Sequence, residues 1–497
     1  MSAIQTNTTI SAADEGAQFA GAGAVLAKGA FSPLRAEVDI QRCVVEGKLP
    51  SDLRGGFYAV GADPQFPLAP GNIPFDGEGH VRMFRFGDGR VDYRTRYAQT
   101  ERYVAQDKAG RALMPMYRNP ELDDPSVKGL SRSTANTHVI NFKNMLLALK
   151  EDSPPTALDL NTLETIDPVF TFDGQLPRDQ PFTAHPKVCS RTGNILAFGY
   201  EAKGFGSDVI AVFEIDKNTG KKVWGAEIKA PYVSLVHDFA ITENYVAFLI
   251  VPLSIDYAQM QRGGVHWSWD KDKKTYLGVM RRFGDGTDIK WLEGPSRCST
   301  HSMGAFDDKG RLYWDLEISE GNPLVFLPNK DGSPPDFSKA ASFIHRITVN
   351  MERATPTYEV DKMYPLLAPL PKQDDRYHTV PYRYGFFGCP NPNEPNPFAA
   401  SPCYARVDHQ TRTCKLWDSG PGTSLAEPCF APKHATAREG EGYLLGVRYH
   451  LEQELRSDLV ILDAEHVDEG PLCTVRLPVQ ASPQVHGWWV REDQYPA

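Results

Sequence analysis

The sequence has no C-x-x-C pair, no long basic cluster, no long apolar run and no H-E-x-x-H motif. Each absence removes a class of protein. Eight cysteines (Cys43, Cys189, Cys298, Cys389, Cys403, Cys414, Cys429, Cys473) are scattered through 497 residues, too thinly for a disulfide scaffold. They are expected to be reduced thiols in an intracellular protein. A net charge of −10 without a basic patch argues against nucleic acid as a partner. No stretch approaches the ~18 apolar residues that a membrane span needs, so no transmembrane segment is expected. The segment Met1 to Phe31 lacks a basic region followed by an apolar core, and the expected location is cytoplasmic. Thirteen histidines are present, none in a local metal motif, so spacing alone establishes no metal site.

What is present is turn chemistry spread evenly. The chain has 41 glycines and 39 prolines with 41 % hydrophobic residues, which fits many short elements around a substantial core. One pattern recurs: an alternating apolar run ends in Asp or a similar residue, a polar turn follows, and a short strand returns. It occurs at Ala157 to Ile166, at Ala211 to Asp216 turning into Lys221 to Trp224, at Ile344 to Val349, at Tyr404 to Asp408 and at Leu459 to Asp463. Period-two hydrophobicity with Asn, Asp and Gly turns reads as β-hairpins. Hairpins repeating every ~50 to 60 residues argue for an all-β repeat fold that closes on itself, a β-propeller of about seven blades. Residues 1–35 are expected to form a flexible leader, and 36–497 a single propeller domain. Convincing helices are few; Ser254 to Gln261 is a candidate for a short helix or ordered loop.

Four histidines stand out by context: His185 in Thr183-Ala184-His185-Pro186, His237 in Leu235-Val236-His237-Asp238-Phe239, His301 in His301-Ser302-Met303-Gly304, and His486 in Val485-His486-Gly487-Trp488. Three lie directly before apolar or small-residue strands, Phe239 to Leu249, Gly304 to Phe306 and Trp488 to Val490. In a propeller the first strand of each blade lines the axis, so histidines there would converge. Any one buried histidine is more often a satisfied core residue than a ligand. Context alone leaves both readings open.

The chain resembles the carotenoid cleavage oxygenase family, and its stilbene-cleaving branch in particular. The resemblance rests on the histidine contexts, on Phe75-Asp76-Gly77-Glu78-Gly79, on Thr134-Ala135-Asn136-Thr137, on Leu147-Ala148-Leu149-Lys150-Glu151 and on Ala426-Glu427-Pro428. It covers roughly residues 40 to 497. It implies a seven-bladed propeller under a cap of loops and short helices, with axial Fe(II) held by His185, His237, His301 and His486. Imidazole suits Fe(II), and a ligand histidine needs an acceptor for its other ring nitrogen. By resemblance Glu151 and Glu427 are two such acceptors, and the methyl group of Thr137 crowds an open iron position. A third family glutamate belongs in an E-F-P-R-like segment, where this chain has Pro369-Leu370-Pro371-Lys372. The third histidine partner is therefore expected to be an Asp nearby, a carbonyl or water. Val60-Gly61-Ala62-Asp63-Pro64 also departs from the R-N-G-P-N of carotenoid cleavers.

The resemblance further implies that Lys150, with an upstream tyrosine, holds the 4-hydroxyl of a phenolic substrate. Tyr117 is the better tyrosine and Tyr103 the reserve. A phenol becomes a better electron donor as its proton moves toward a base, and a buried lysine can share that proton. The expected activity is Fe(II)-dependent dioxygenation of the central double bond of hydroxylated stilbenes (resveratrol, piceatannol or lignostilbene type). Two aromatic aldehydes would be released. The alternatives are a carotenoid or apocarotenoid cleaver, an isomerohydrolase on the same iron site, and a propeller that binds ligands without oxygen chemistry.

Overall fold

A computed structural model describes residues 32–353, 355–393, 400–452 and 456–495. The expected leader therefore falls, except for 32–35, outside the described residues. The strands form seven sheets arranged as propeller blades, plus a two-stranded hairpin above them. The first blade contains Gly55–Asp63, Glu78–Gly87 and Arg90–Tyr97. The second begins at His138–Phe142, the third at Lys187–Val188, the fourth at Phe239–Ile241, the fifth at Ser302–Asp308 and the sixth at Lys372–Gln373. The seventh is built on Gly442–His450 and Ser457–Asp463.

The ring is closed twice. Val44–Gly47 pairs with Pro471–Arg476 at the outer edge of the seventh blade, while His486–Arg491 supplies the inner strand of the first, beside Gly55–Asp63. Both closures use ordinary antiparallel pairing, so few sheet edges remain for unwanted partners.

The recurring Asp has a physical role. It ends the third strand of a blade and accepts from the backbone of the turn that follows. Asp159 Oδ1 accepts from the amides of Asn161 (2.9 Å) and Thr162 (2.7 Å), and Asp216 Oδ1 from those of Asn218 (3.1 Å) and Thr219 (2.7 Å). Asn350, Asp408 and Asp463 repeat the arrangement in later blades. Middle strands lie between neighbouring blades and are buried on both faces, as in Val209–Ile215. Outer strands such as Arg90–Tyr97 alternate.

Two readings of the sequence need correction. Phe239 to Leu249 is not one strand: the chain turns at Glu243 and Asn244, and Phe239 pairs with Phe248. Within Ser254 to Gln261 only Tyr257–Gln261 is helical, Ser254 and Ile255 belonging to a cap strand. A second helix, Glu101–Ala109, went unread because it is scarcely amphipathic and buries Arg102 and Gln106. Both carry polar partners: Arg102 pairs with Asp76 at 2.9 Å and Gln106 donates to Glu78 at 2.9 Å. The Phe75-to-Gly79 motif thus clamps this helix to the first blade. Among the described residues no helix is long and apolar enough to cross a membrane.

The approach to His486 is tightly packed. The Val485 amide donates to the Val60 carbonyl at 2.8 Å, and buried Arg82 donates to Ser482 Oγ at 2.9 Å. Gly61 lies against this segment, and a Cβ there would collide with the Pro483 carbonyl oxygen. Gly61→Ala is expected to destabilise the protein by ~1–3 kcal/mol through overpacking and to lower its metal content. Chemical denaturation and metal analysis check this; wild-type values for both would show that the segment yields freely.

Candidate metal centre

The four histidines singled out by context come together on the propeller axis. His185 and His237 each lie two residues before an inner strand, His301 one before, and His486 opens its strand. One ring nitrogen from each lies within 4.8 Å of the other three. His185 Nε2 is 3.0 Å from His237 Nε2, which is 3.3 Å from His301 Nε2. The ring centroids of His185 and His486 are 4.5 Å apart.

Carboxylates fix which nitrogen of three rings carries the proton. His237 Nδ1 donates to Glu151 Oε1, and His486 Nδ1 donates to Glu427 Oε1 at 2.7 Å. Glu427 Oε2 takes the Gly487 amide at 3.0 Å. His301 Nδ1 donates to Glu317 Oε1 at 2.9 Å. The Nε2 atoms of these rings must then present lone pairs. Lone pairs on His237 and His301 face each other at 3.3 Å, and His486 Nε2 is buried with no hydrogen-bond partner. Such an array is repulsive unless a cation sits at its centre. Two imidazole nitrogens each ~2.1 Å from one ion and at right angles lie ~3.0 Å apart, matching the observed separations. The residues fit a divalent transition metal.

The electrostatics divide the set: burial opposes a charge on His237, but the Glu151 carboxylate beside it raises this ring above the ordinary histidine range. Burial, then the charges of neighbouring imidazoles, pushes His185 and His486 far below the ordinary histidine range, so both rings are neutral as ligands require. Burial opposes ionisation of Glu151, but His237, Lys150 and Arg118 bring its carboxyl down to about 2. A fifth axial histidine, His138, is different. Its Nδ1 is 2.8 Å from the Ala184 carbonyl and its Nε2 3.4 Å from that of Gly487, and its nitrogens are not among the four that cluster.

Above the histidines lies a cavity of about 330 Å³ with largely apolar walls, among them Ile73, Phe75, Leu235, Trp267 and Phe326. His237 and His301 open into it, as do Tyr117, Asn136, Thr137, Lys150 and Glu151. Lys150 Nζ lies 5.1 Å from the centre of the Tyr117 ring. Tyr103, the reserve tyrosine, is outside this cavity; it stacks on Tyr97 at 5.4 Å. Burial, then the negative charge of Glu151, raises the Tyr117 phenol well above its ordinary value, so it remains a proton donor.

Three residues in this region went without a role in the sequence reading. Asn136 gives both amide protons to carbonyls, of Phe75 at 2.7 Å and Gly77 at 2.8 Å. Its oxygen is thereby turned toward Thr137 Oγ1 (2.9 Å) and Lys150 Nζ (3.5 Å). Tyr200 donates to Glu151 Oε2 at 2.8 Å and accepts from Arg118. Glu317 lies on Arg311–Ile318, far in sequence from the segment 369–377 searched for a third carboxylate. That segment supplies Pro371, Lys372 and Gln373 to the opposite side of the cluster. The available signal was a pair of acids, Asp315 and Glu317, alternating with Trp314, Leu316 and Ile318.

Comparisons with known proteins place these observations. The family model described as retinal pigment epithelial membrane protein (RPE65) matches residues 31–491. The chain is 36 % identical over 481 residues to lignostilbene-α,β-dioxygenase isozyme III of Sphingomonas paucimobilis, covering 94 % of this chain and 97 % of that protein. It is 36 % identical over 468 residues to isoeugenol monooxygenase of Pseudomonas nitroreducens (93 % and 97 % covered). The same identity holds over 481 residues for resveratrol cleavage oxygenase 1 of Aspergillus fumigatus (93 % and 94 %). Among solved structures, Pseudomonas brassicacearum lignostilbene dioxygenase superposes with a TM-score of 0.89 at 36 % identity, covering 94 % of this chain and 98 % of that one. Cobalt-substituted Synechocystis apocarotenoid oxygenase gives 0.80 at 26 % identity, covering 93 % and 98 %.

If a cation relieves the facing lone pairs, adding a divalent transition metal to chelated protein should raise its thermal midpoint, since a ligand of the native state stabilises it. His486→Ala should abolish the rise. An equal shift in both proteins would place the binding elsewhere.

Proposed function

Because the chain belongs to the carotenoid cleavage oxygenase (RPE65) family, we propose that it is an Fe(II)-dependent dioxygenase. In this reading it cleaves the central double bond of hydroxylated stilbenes to two aromatic aldehydes. The observation that carries it is one cavity holding both Lys150 with Tyr117 and two of the clustered imidazoles. A phenol bound at the first pair would lay its conjugated alkene toward the second.

His185, His237, His301 and His486 would hold the iron, with Glu151 and Glu427 fixing their rings. Iron suits a set of neutral imidazoles that leaves coordination positions open. When bound it supplies the activation of dioxygen. The residues do the rest. The apolar walls exclude water from the alkene. Lys150 holds the substrate's 4-hydroxyl oxygen, and its ammonium favours the phenol bound as phenolate, the proton having left to solvent on binding, so that electron density reaches the double bond through the ring. Tyr117 is kept protonated by its surroundings and donates to the same oxygen. Thr137 spends its hydroxyl on Asn136, leaving its methyl as the group that narrows the cavity. The carbon–carbon double bond is broken and each carbon receives one atom of O2.

A cavity of about 330 Å³ lies at the small end of ligand pockets, which favours a two-ring phenol over a full-length carotenoid. A shorter phenolic alkene is the second reading, favoured by the equal identity to isoeugenol monooxygenase. The eight cysteines are free thiols, which fits a reducing compartment such as the cytoplasm.

Iron-loaded protein given resveratrol and O2 should yield 4-hydroxybenzaldehyde and 3,5-dihydroxybenzaldehyde by mass spectrometry; cleavage of an apocarotenal instead would overturn the substrate assignment. Lys150→Met and Tyr117→Phe should each lower turnover by ~10²-fold or more with iron content unchanged. Normal rates in both would remove the phenol-activation mechanism.

A further inference from the structure

We propose that Glu317 is the positioning residue of His301, doing from the same blade what the chain no longer can do from Pro369. The inference rests on the metal-centre reading above. Proline has no side-chain acceptor, and Lys372, three residues on, is a cation that cannot take an imidazole proton. The half-buried His301 has two acceptors near its Nδ1–H, Thr300 Oγ1 at 3.0 Å and Glu317 Oε1 at 2.9 Å, and Thr300 gives its own proton to Glu317. Glu317 serves in three ways at once. Its Oε1 accepts from His301 Nδ1 at 2.9 Å, from the His301 amide at 3.1 Å and from Thr300 Oγ1.

The backbone makes the pairing rigid. The Glu317 amide donates to the His301 carbonyl at 3.1 Å, and the two residues face each other where Ser302–Asp308 pairs with Arg311–Ile318. The side chain of Glu317 is 5 % exposed, so water cannot substitute for its donors. Holding the proton on Nδ1 commits Nε2 to the metal and raises its basicity, the general effect of a carboxylate behind a ligand histidine.

The origin of the carboxylate also differs from the others. Glu151 lies within the second blade, between Met145–Leu149 and Thr156–Asp159, and reaches His237 before the fourth; Glu427 precedes the inner strand of the seventh and reaches His486 in the first. Those pairs form only when separate blades meet. Glu317 and His301 belong to one hairpin, so their pairing needs no contact between blades. The proton position of one ligand is thus secured by local register.

Co(II) titration tests this, because cobalt reports ligand number through its optical spectrum and needs no turnover. Glu317→Ala should weaken Co(II) binding ~10- to 100-fold and change the ligand-field bands of the folded protein, a spectral change that loss of stability alone does not produce. Glu317→Gln, a near-isostere that keeps a neutral acceptor, should show a smaller loss in the same direction. It carries the test if the alanine variant does not fold. Wild-type affinity and spectrum in the folded variants would overturn the assignment. Failure of the wild-type protein to bind cobalt would instead sink the metal centre, and this inference with it.

Discussion

Four imidazole nitrogens are aimed at one point, three of the rings having Nδ1 tied to carboxylates, an arrangement that a metal cation at the centre satisfies. His237 and His301 have Nδ1 tied to carboxylates and Nε2 atoms 3.3 Å apart. Without a positive charge between them this is a repulsion inside a low-dielectric interior. With one, the same contacts become ligand geometry. Glu151, Glu427 and Glu317 set the proton positions, and the blades set the rings, so most of the axial architecture serves this contact.

The fold's contribution is to bring distant segments to the axis without strain in any one of them. Each histidine lies at or just before an inner strand, where a two- to seven-residue β-segment is enough to aim it. The last ligand arrives through the closing strand, which pairs with Gly55–Asp63. Closure and completion of the cluster are therefore one event. His138 shows how narrow the distinction is. It lies 5.2 Å from His486, ring to ring, yet its Nδ1 is directed at the Ala184 carbonyl and it stays outside the cluster.

Legibility in the sequence followed exposure. Outer strands alternate because one face meets water, and the Asp-terminated turns between third and fourth strands carry explicit backbone chemistry; both were readable. Inner strands such as Lys187–Val188 and Phe239–Ile241 are only two and three residues long, so they and the turn after Ile241 gave no periodic signal. Helix Glu101–Ala109 was hidden because its inward face is Arg102 and Gln106, satisfied by Asp76 and Glu78. The histidine set was marked by its apolar neighbours, while the resemblance to a family supplied Glu151, Glu427 and Lys150. Glu317 escaped both routes. No local spacing links it to His301, and the family's pattern directs attention to Pro369. What its strand shows is Asp315 and Glu317 among Trp314, Leu316 and Ile318, all buried, and buried acids require partners.

The cavity above the cluster extends the same logic to the substrate. Asn136, held by two carbonyls, turns its oxygen to Lys150 and Thr137 together, so the cationic end and the narrow end of the pocket share one support. The account stands or falls on the ion at the axis. Iron K-edge X-ray absorption on protein reconstituted anaerobically with Fe(II) tests it most directly. It predicts a first shell dominated by imidazole nitrogens, about four of them. An oxygen-dominated shell, or no retained iron, would contradict it.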